Sequence, residues 1–274
     1  MRVTVALVVD TFREAMARWI FIGLFALSSL MILFFLFLMR IDILEGATAT
    51  ISLFGQSSGR SQDVTRLVNN VYGGIATFLY TWGMGLAVFA SAGLLPRVME
   101  PGRIELILSK PVTRAHILLG RFLGNLLIVA ANATYLVLGV WVIFGAKTGI
   151  WGPRFLIAIA TSVFTFTVLL TVVVFLGVLV ESTALSTMVT MGLMILSPVL
   201  AQTDTMMRLL SSDSSRTIWK ALYYLLPKVY DIGRLTLNLV RGGEAMEWMP
   251  LWSSALFGAV VLAGAIGIFS RRDF

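Results

Sequence analysis

The sequence predicts an all-α polytopic membrane protein with six transmembrane helices. Three observations carry that prediction. Of 274 residues, 58% are hydrophobic and 13% charged, with a mean hydropathy of +0.91, whereas soluble domains carry roughly 25% charged residues. Six runs reach or approach the roughly 20 apolar residues that span a hydrocarbon core: 19–39, 71–95, 122–146, 155–180, 182–201 and 249–270. None of the runs contains Asp, Glu, Lys or Arg, so all 21 basic and all 14 acidic residues fall between them. A charge at the centre of a span costs about 2.5–3.5 kcal/mol on insertion scales, which makes this exclusion informative. Membrane-barrel strands would alternate over about ten residues. These runs are continuous and longer, so strands are not expected in the spans.

The first span is preceded by residues 1–18, which read as an amphipathic helix lying in the membrane interface. Val5, Val8, Phe12 and Met16 recur at helical spacing, away from Asp10, Arg13 and Glu14, and Glu14 is placed to pair with Arg18 at i,i+4. The apolar run that follows is too long for a secretory signal and lacks a small-x-small cleavage site, so it is expected to stay as an anchor. Residues 40–70 read as a polar loop with Gly46, Gly55 and Gly59. Residues 202–248 are longer and mixed, with apolar residues at helical spacing and a break at Pro227. They read as short helices packed on the outer face before the sixth span.

With six spans both termini share a side. The amino-terminal, 96–121 and carboxy-terminal segments hold Arg2, Arg13, Arg18, Arg97, Arg103, Lys110, Arg114, Arg121, Arg271 and Arg272 at higher density than the other segments. Basic density near span ends places this side in the cytosol.

Several functions are disfavoured. There are no cysteines, so disulfides and Cys metal sites are excluded. The net charge of +7 is spread between spans, which suits lipid headgroups and not nucleic acid. The lone histidine, His116, reads as an interfacial side chain, and Glu181 as a helix-end charge in the turn between spans four and five. The stretch GQSSGR at 55–60 lacks the Gly-Lys-Ser/Thr ending of a phosphate loop. The chain is therefore expected to bind no metal or cofactor and to hydrolyse no ATP itself.

Polar residues inside the spans are the next candidates. Asn125 and Asn132 lie two turns apart on one face of span three, as a cargo-path lining or as a helix interface. Thr161 and Thr165 are expected to bond their own helix and nothing more. Gly120 with Gly124, and Ala263 with Gly267, are expected to allow close helix contacts.

The stretch from Leu94 to Gly124 differs from everything around it. Glu100 precedes Pro101, a good first helical residue; Ile104, Ile107 and Leu108 form an apolar stripe; Arg103 and Glu105 lie off it; Pro111 stops the helix; and Thr113 caps the next. A lipid anchor needs no such framing, whereas a peg for a soluble partner does. The segment resembles the permease subunits of ABC-2 type ATP-binding-cassette transporters, through Glu100, Gly102, Glu105, Leu108-Ser109-Lys110-Pro111, Arg114 and Leu119-Gly120-Arg121 with Gly124. The DTFREAMARWIF start and the FSRRDF close are similar to the connecting helix and basic tail of that family.

The resemblance implies a permease that pairs with a second copy, homologous or identical, in a bacterial or archaeal cytoplasmic membrane. It implies a cytosolic coupling helix between spans two and three, carried by Glu100, Gly102, Arg103, Glu105, Ser109, Lys110, Pro111 and Arg114. That helix would dock on a separate ATPase subunit holding ATP and magnesium, and cargo would move outward. The competing readings are a secondary transporter or channel, which would need ion-coupling groups inside the spans, and a membrane scaffold without transport.

Overall fold

The computed structural model describes residues 9, 11–14, 19–44, 48–53, 56–57, 62–93, 113–244 and 247–272. Among them, six helices are long and apolar enough to cross a membrane. The first, α1 (Trp19–Leu33), continues as a π-helical turn over Phe34–Leu38.

Within the expected polar loop, which is large enough for a small structure of its own, the chain forms short strands: β1 (Met39–Leu44), β2 (Thr48–Leu53), β3 (Gln56–Ser57) and β4 (Gln62–Asp63). β1 pairs antiparallel with β2, Met39 opposite Leu53 and Leu44 opposite Thr48, and β2 also pairs with β3 and β4. The β-branched residues of RIDI and TATIS favour this extended pairing, and a reading by hydropathy passes over it.

The second span, α2 (Val64–Ala92), contains a π turn at Leu79–Gly83. It begins before the apolar run because Asp63 caps it, its carboxylate accepting from the Thr65 amide at 2.8 Å. Its first turns are amphipathic, with Leu67 and Val68 buried and Arg66 exposed, so average hydropathy hides them. The third span, α3 (Arg114–Thr148), starts at the Thr113 cap and stops at Gly149, whose φ of 73° permits the left-handed turn. At 35 residues it runs about 50 Å, longer than the hydrocarbon core, and its ends carry Arg114, Arg121 and Lys147.

A short 3-10 turn (Pro153–Leu156) leads into α4 (Ile157–Val180). Glu181 then takes φ 55° to turn the chain, and Ser182 caps α5 (Thr183–Ala201) by accepting from the Leu185 amide at 3.3 Å. Three shorter helices follow, α6 (Thr203–Leu209), α7 (Asp213–Leu225) and α8 (Val229–Val240), before the last span, α9 (Met249–Arg271).

α4 occupies the centre and packs on α2, α3, α5, α8 and α9. It is apolar on every face, as a helix surrounded by others must be. One core cluster joins Phe21, Ile117, Phe166, Leu169 and Phe269; a second, toward the strands, joins Phe35, Tyr72, Phe144 and Phe155, with Tyr72 and Phe155 stacked at 4.2 Å.

The helix ends fall on two rims. One carries residues 11–14, the end of α2, the start of α3, the Glu181 turn and the end of α9. The other carries the strands, the 149–152 turn and residues 202–244 and 247–248. For the described residues the helix ends fall in the two expected groups, residues 94–112 lying outside them, and one expectation is corrected. α8 does not lie on the face of the bundle but enters it, burying Val229, Ile232, Leu235, Thr236 and Val240 against the spans. The reason is amphipathicity: an apolar stripe at helical spacing must be covered, and α2, α4 and α5 leave a slot for it.

Candidate functional site

Residues 94–112, and with them Glu100, Gly102, Arg103, Glu105, Ser109, Lys110 and Pro111, lie outside the described residues. The two anchor points of that segment are described, and both sit on the rim opposite the strands. At one, α2 ends against Gly93. At the other, the Thr113 hydroxyl caps α3 and contacts the ring Nδ1 of the exposed His116, with Arg114 as the first helical residue.

Two ion pairs among the described residues fasten the same rim. Arg121, 4% exposed, holds the carboxylate of Glu14. The expected Glu14 partner, Arg18, lies outside the described residues; the Arg121 pair ties the amino-terminal segment to α3. Next to this pair, an added Cβ on Gly124 would stand 2.5 Å from the Thr11 Cβ. The small residue thus permits the crossing, as the spacing with Gly120 suggested. Phe12 is 43% exposed, so an apolar side chain faces outward while Thr11 faces the bundle. In the second pair, Arg272 reaches back from α9 to Glu181 and also donates to the Val178 carbonyl.

Asn125 and Asn132 are both buried, each against a different span. The Ser91 hydroxyl of α2 donates to the Asn125 side-chain oxygen at 3.2 Å, and the Ser28 hydroxyl of α1 donates to that of Asn132 at 3.1 Å. The cavities beside Asn132 hold about 20 Å³ each, room for water and little else. Interhelical hydrogen bonds of this kind contribute about 0.6–2 kcal/mol. Asn132→Leu is accordingly expected to lower the thermal midpoint of the detergent-purified chain by a few degrees. Ser28→Ala should produce a comparable loss, and the double change should cost less than the two added. An additive double mutant would show that the two side chains do not act together.

Two other small-residue and hydroxyl readings are corrected. Gly267 meets nothing within 4 Å, and Ala263 is exposed, so this pair faces away from the bundle; Gly258 and Gly264 approach α4 instead. Thr161 does bond its own helix, to the Ile157 carbonyl, but it and Thr165 also receive α2. The Tyr80 hydroxyl donates to the Thr161 carbonyl at 3.1 Å and lies 2.5 Å from the Thr165 hydroxyl. Thr236 of α8 joins the same cluster. Nothing in the local pattern marks Tyr80, because its partners are remote in sequence.

A second polar cluster holds the entry of α8. The Lys228 amide donates to the Ser254 hydroxyl of α9 at 3.0 Å, and the Tyr230 amide donates to the Ser197 hydroxyl of α5 at 2.9 Å. The Lys228 side chain is only 2% exposed and its ammonium has no hydrogen-bond partner among the described residues; it lies 4.7 Å from the Tyr223 ring and 5.5 Å from that of Tyr224. The Tyr223 hydroxyl donates to Asp231 at 3.0 Å. Burial holds the Lys228 ammonium below its ordinary range, and burial raises the Asp231 carboxyl despite the Tyr223 hydrogen bond.

A lysine whose folded pKa is depressed contributes stability above its unfolded value near 10.5, and that stability is lost as pH falls through the window below it. Wherever the lysine is charged in the fold, that charge is desolvated. Lys228→Met is expected to leave stability unchanged or raise it by about 1 kcal/mol. Any gain should shrink as the pH approaches 10.5, where the native lysine is neutral, and thermal melts across pH test this. A loss at every pH would mean that the contacts with the two tyrosine rings outweigh the burial.

The arrangement is a bundle of six spans, fastened by ion pairs on one rim and penetrated by a short helix from the other. No curated protein matches the chain as a relative. The family model for ABC-2 family transporter proteins, by contrast, matches residues 5–274, nearly the entire length and all six spans, and the chain therefore belongs to the ABC-2 transporter family of integral membrane proteins.

Proposed function

We propose that this chain is the permease subunit of an ATP-driven exporter. It acts with a second permease copy and a separate cytosolic ATPase that holds ATP and magnesium. The observation that carries this reading is the family match across residues 5–274. The segment between α2 and α3 then serves as the coupling helix, with Glu100, Gly102, Arg103, Glu105, Ser109, Lys110, Pro111 and Arg114 as its contacts. Its support is the framing of that segment by Pro101 and Pro111 and the common rim of its two anchor points. Closure of the ATPase pair would push on this helix, and the Glu14–Arg121 and Glu181–Arg272 pairs would carry the displacement into α3, α4 and α9. Asn125 and Asn132 hold spans one to three together during that movement. The membrane is a bacterial or archaeal cytoplasmic membrane, with the ion-paired rim in the cytosol.

Two measurements test this. The purified chain should hydrolyse no ATP until a partner ATPase is added, and should co-purify with that partner. Because the chain has no cysteines, single cysteines report sidedness cleanly. In intact cells an impermeant maleimide should label Ser57→Cys and Ser212→Cys but not Ser109→Cys. Labelling at position 109 would invert the orientation and remove the coupling role. Failure to recruit any ATPase, with normal folding, would favour a scaffold.

A further inference from the structure

A groove of about 590 Å³ opens sideways between α2, α5 and α8. Its walls are apolar, from Met194, Ile195 and Pro198 of α5 and Leu237 of α8, with the Thr77 and Thr81 side chains along α2. Ile195 is 74% exposed, so the groove is open to whatever lies beside the bundle. One full charge stands in its wall, the exposed Arg234 of α8. Among the described residues Arg234 forms no salt bridge. Its acidic neighbour Asp231, one turn away, is near enough for the charges to interact but already accepts from the Tyr223 hydroxyl.

Depth distinguishes this groove from an ordinary surface cleft. Ser197, which receives the Tyr230 amide, lies four residues before the end of α5, and Ser254, which receives the Lys228 amide, five residues after the start of α9. At 1.5 Å per residue the entry of α8 is roughly 6–8 Å below those helix ends. From that entry α8 runs back toward the rim, since Gly233 meets Tyr80 whereas Leu237 and Arg241 meet Gly73, seven residues nearer the start of α2. Arg234, four residues past Tyr230, therefore stands about 6 Å nearer the rim than Ser197, close to the level of the helix ends, while Met194 and Ile195 lie on the far side of Ser197 from the rim. A cation at the level of the span ends over an apolar slot deeper in the span is complementary to one kind of molecule.

We propose that this groove binds an acidic lipid, its anionic head on the Arg234 guanidinium and one acyl chain against Met194, Ile195 and Pro198. The volume suits one chain and part of a headgroup, within the 300–1,000 Å³ typical of ligand sites. Arg provides a planar, bidentate partner for a phosphate, which a lysine does not. The site needs no ATPase and stands apart from the export reading.

The test uses the full chain in phosphatidylcholine nanodiscs doped with a photoactivatable phosphatidylglycerol, or with phosphatidylcholine carrying the same photoreactive chain. Labelled peptides are then mapped. Peptides covering α5 and α8 should take the acidic probe about tenfold more than the neutral one, the ratio that corresponds to about 1.4 kcal/mol. Arg234→Gln should bring the acidic probe down to the neutral level without changing neutral labelling. Ile195→Trp, which fills the slot, should lower both. Equal labelling by the two probes, or an Arg234→Gln protein labelled as strongly as the native one, would overturn the proposal. So would absence of label in the groove with an Ile195→Cys chain that oxidises to a covalent dimer, since the occupant would then be a second copy. A circular-dichroism melt shows whether each variant is folded, and Arg234→Lys should recover part of the preference if charge is the cause.

Discussion

Glu105→Lys is expected to release the chain from its ATPase, or to leave ATP hydrolysis uncoupled from transport. The residue stands in the segment proposed for coupling, two positions beyond Arg103, and on that proposal both signs of charge meet the ATPase. Reversing one charge at such an interface costs about 2–5 kcal/mol, a loss of roughly 30-fold or more in affinity. Membrane insertion should be unaffected, because the residue lies outside every apolar run of the sequence. The measurement is co-purification with the ATPase, followed by transport per assembled complex. Glu244→Lys on the opposite rim is the control and should change neither. Normal binding and normal transport for Glu105→Lys would return the segment to the role of a lipid-facing anchor.

The second large effect is expected at the pair between the amino-terminal segment and α3. Arg121 is almost wholly buried, and Glu14 provides an ionic partner for it. Glu14→Leu would leave a guanidinium in a low-dielectric setting, and breaking a buried pair from one side costs about 3–5 kcal/mol. The amino-terminal segment should then lift from α3, giving faster proteolysis near Thr11 and a lower thermal midpoint. Glu14→Gln, which keeps an acceptor oxygen, should lose less. The double variant Glu14→Leu with Arg121→Met should recover most of the loss, because the buried guanidinium that lost this partner is then gone as well. If the double variant is as unstable as Glu14→Leu alone, the pair is not the source of the stability.

The spans were legible in the sequence because the underlying physics is local. A charge in hydrocarbon is costly wherever its partners are, so runs free of Asp, Glu, Lys and Arg mark helices without any knowledge of packing. Capping is local too: Thr113 and its helix were readable because donor and acceptor lie three residues apart. Helix starts were harder. Val64 to Asn70 was read as loop because half its side chains are polar, and only the neighbouring helices show that its other half is buried. The candidate site was legible in part. Asn125 and Asn132 stood out as amides in apolar runs, but their serine partners, Ser91 and Ser28, belong to other spans.

By itself the sequence determined the class of the protein and the number and places of its spans. Each follows from the solvation of single residues or from contacts within a turn. The tertiary structure alone decided that Glu14 meets Arg121, that Tyr80 joins α2 to α4 and α8, and that α8 enters the bundle and leaves Arg234 beside an open apolar groove. Those outcomes depend on which surfaces remain uncovered once the spans have packed. A linear pattern shows that a stripe must be buried or a charge matched, but the identity of the partner is set by geometry between residues far apart in the chain.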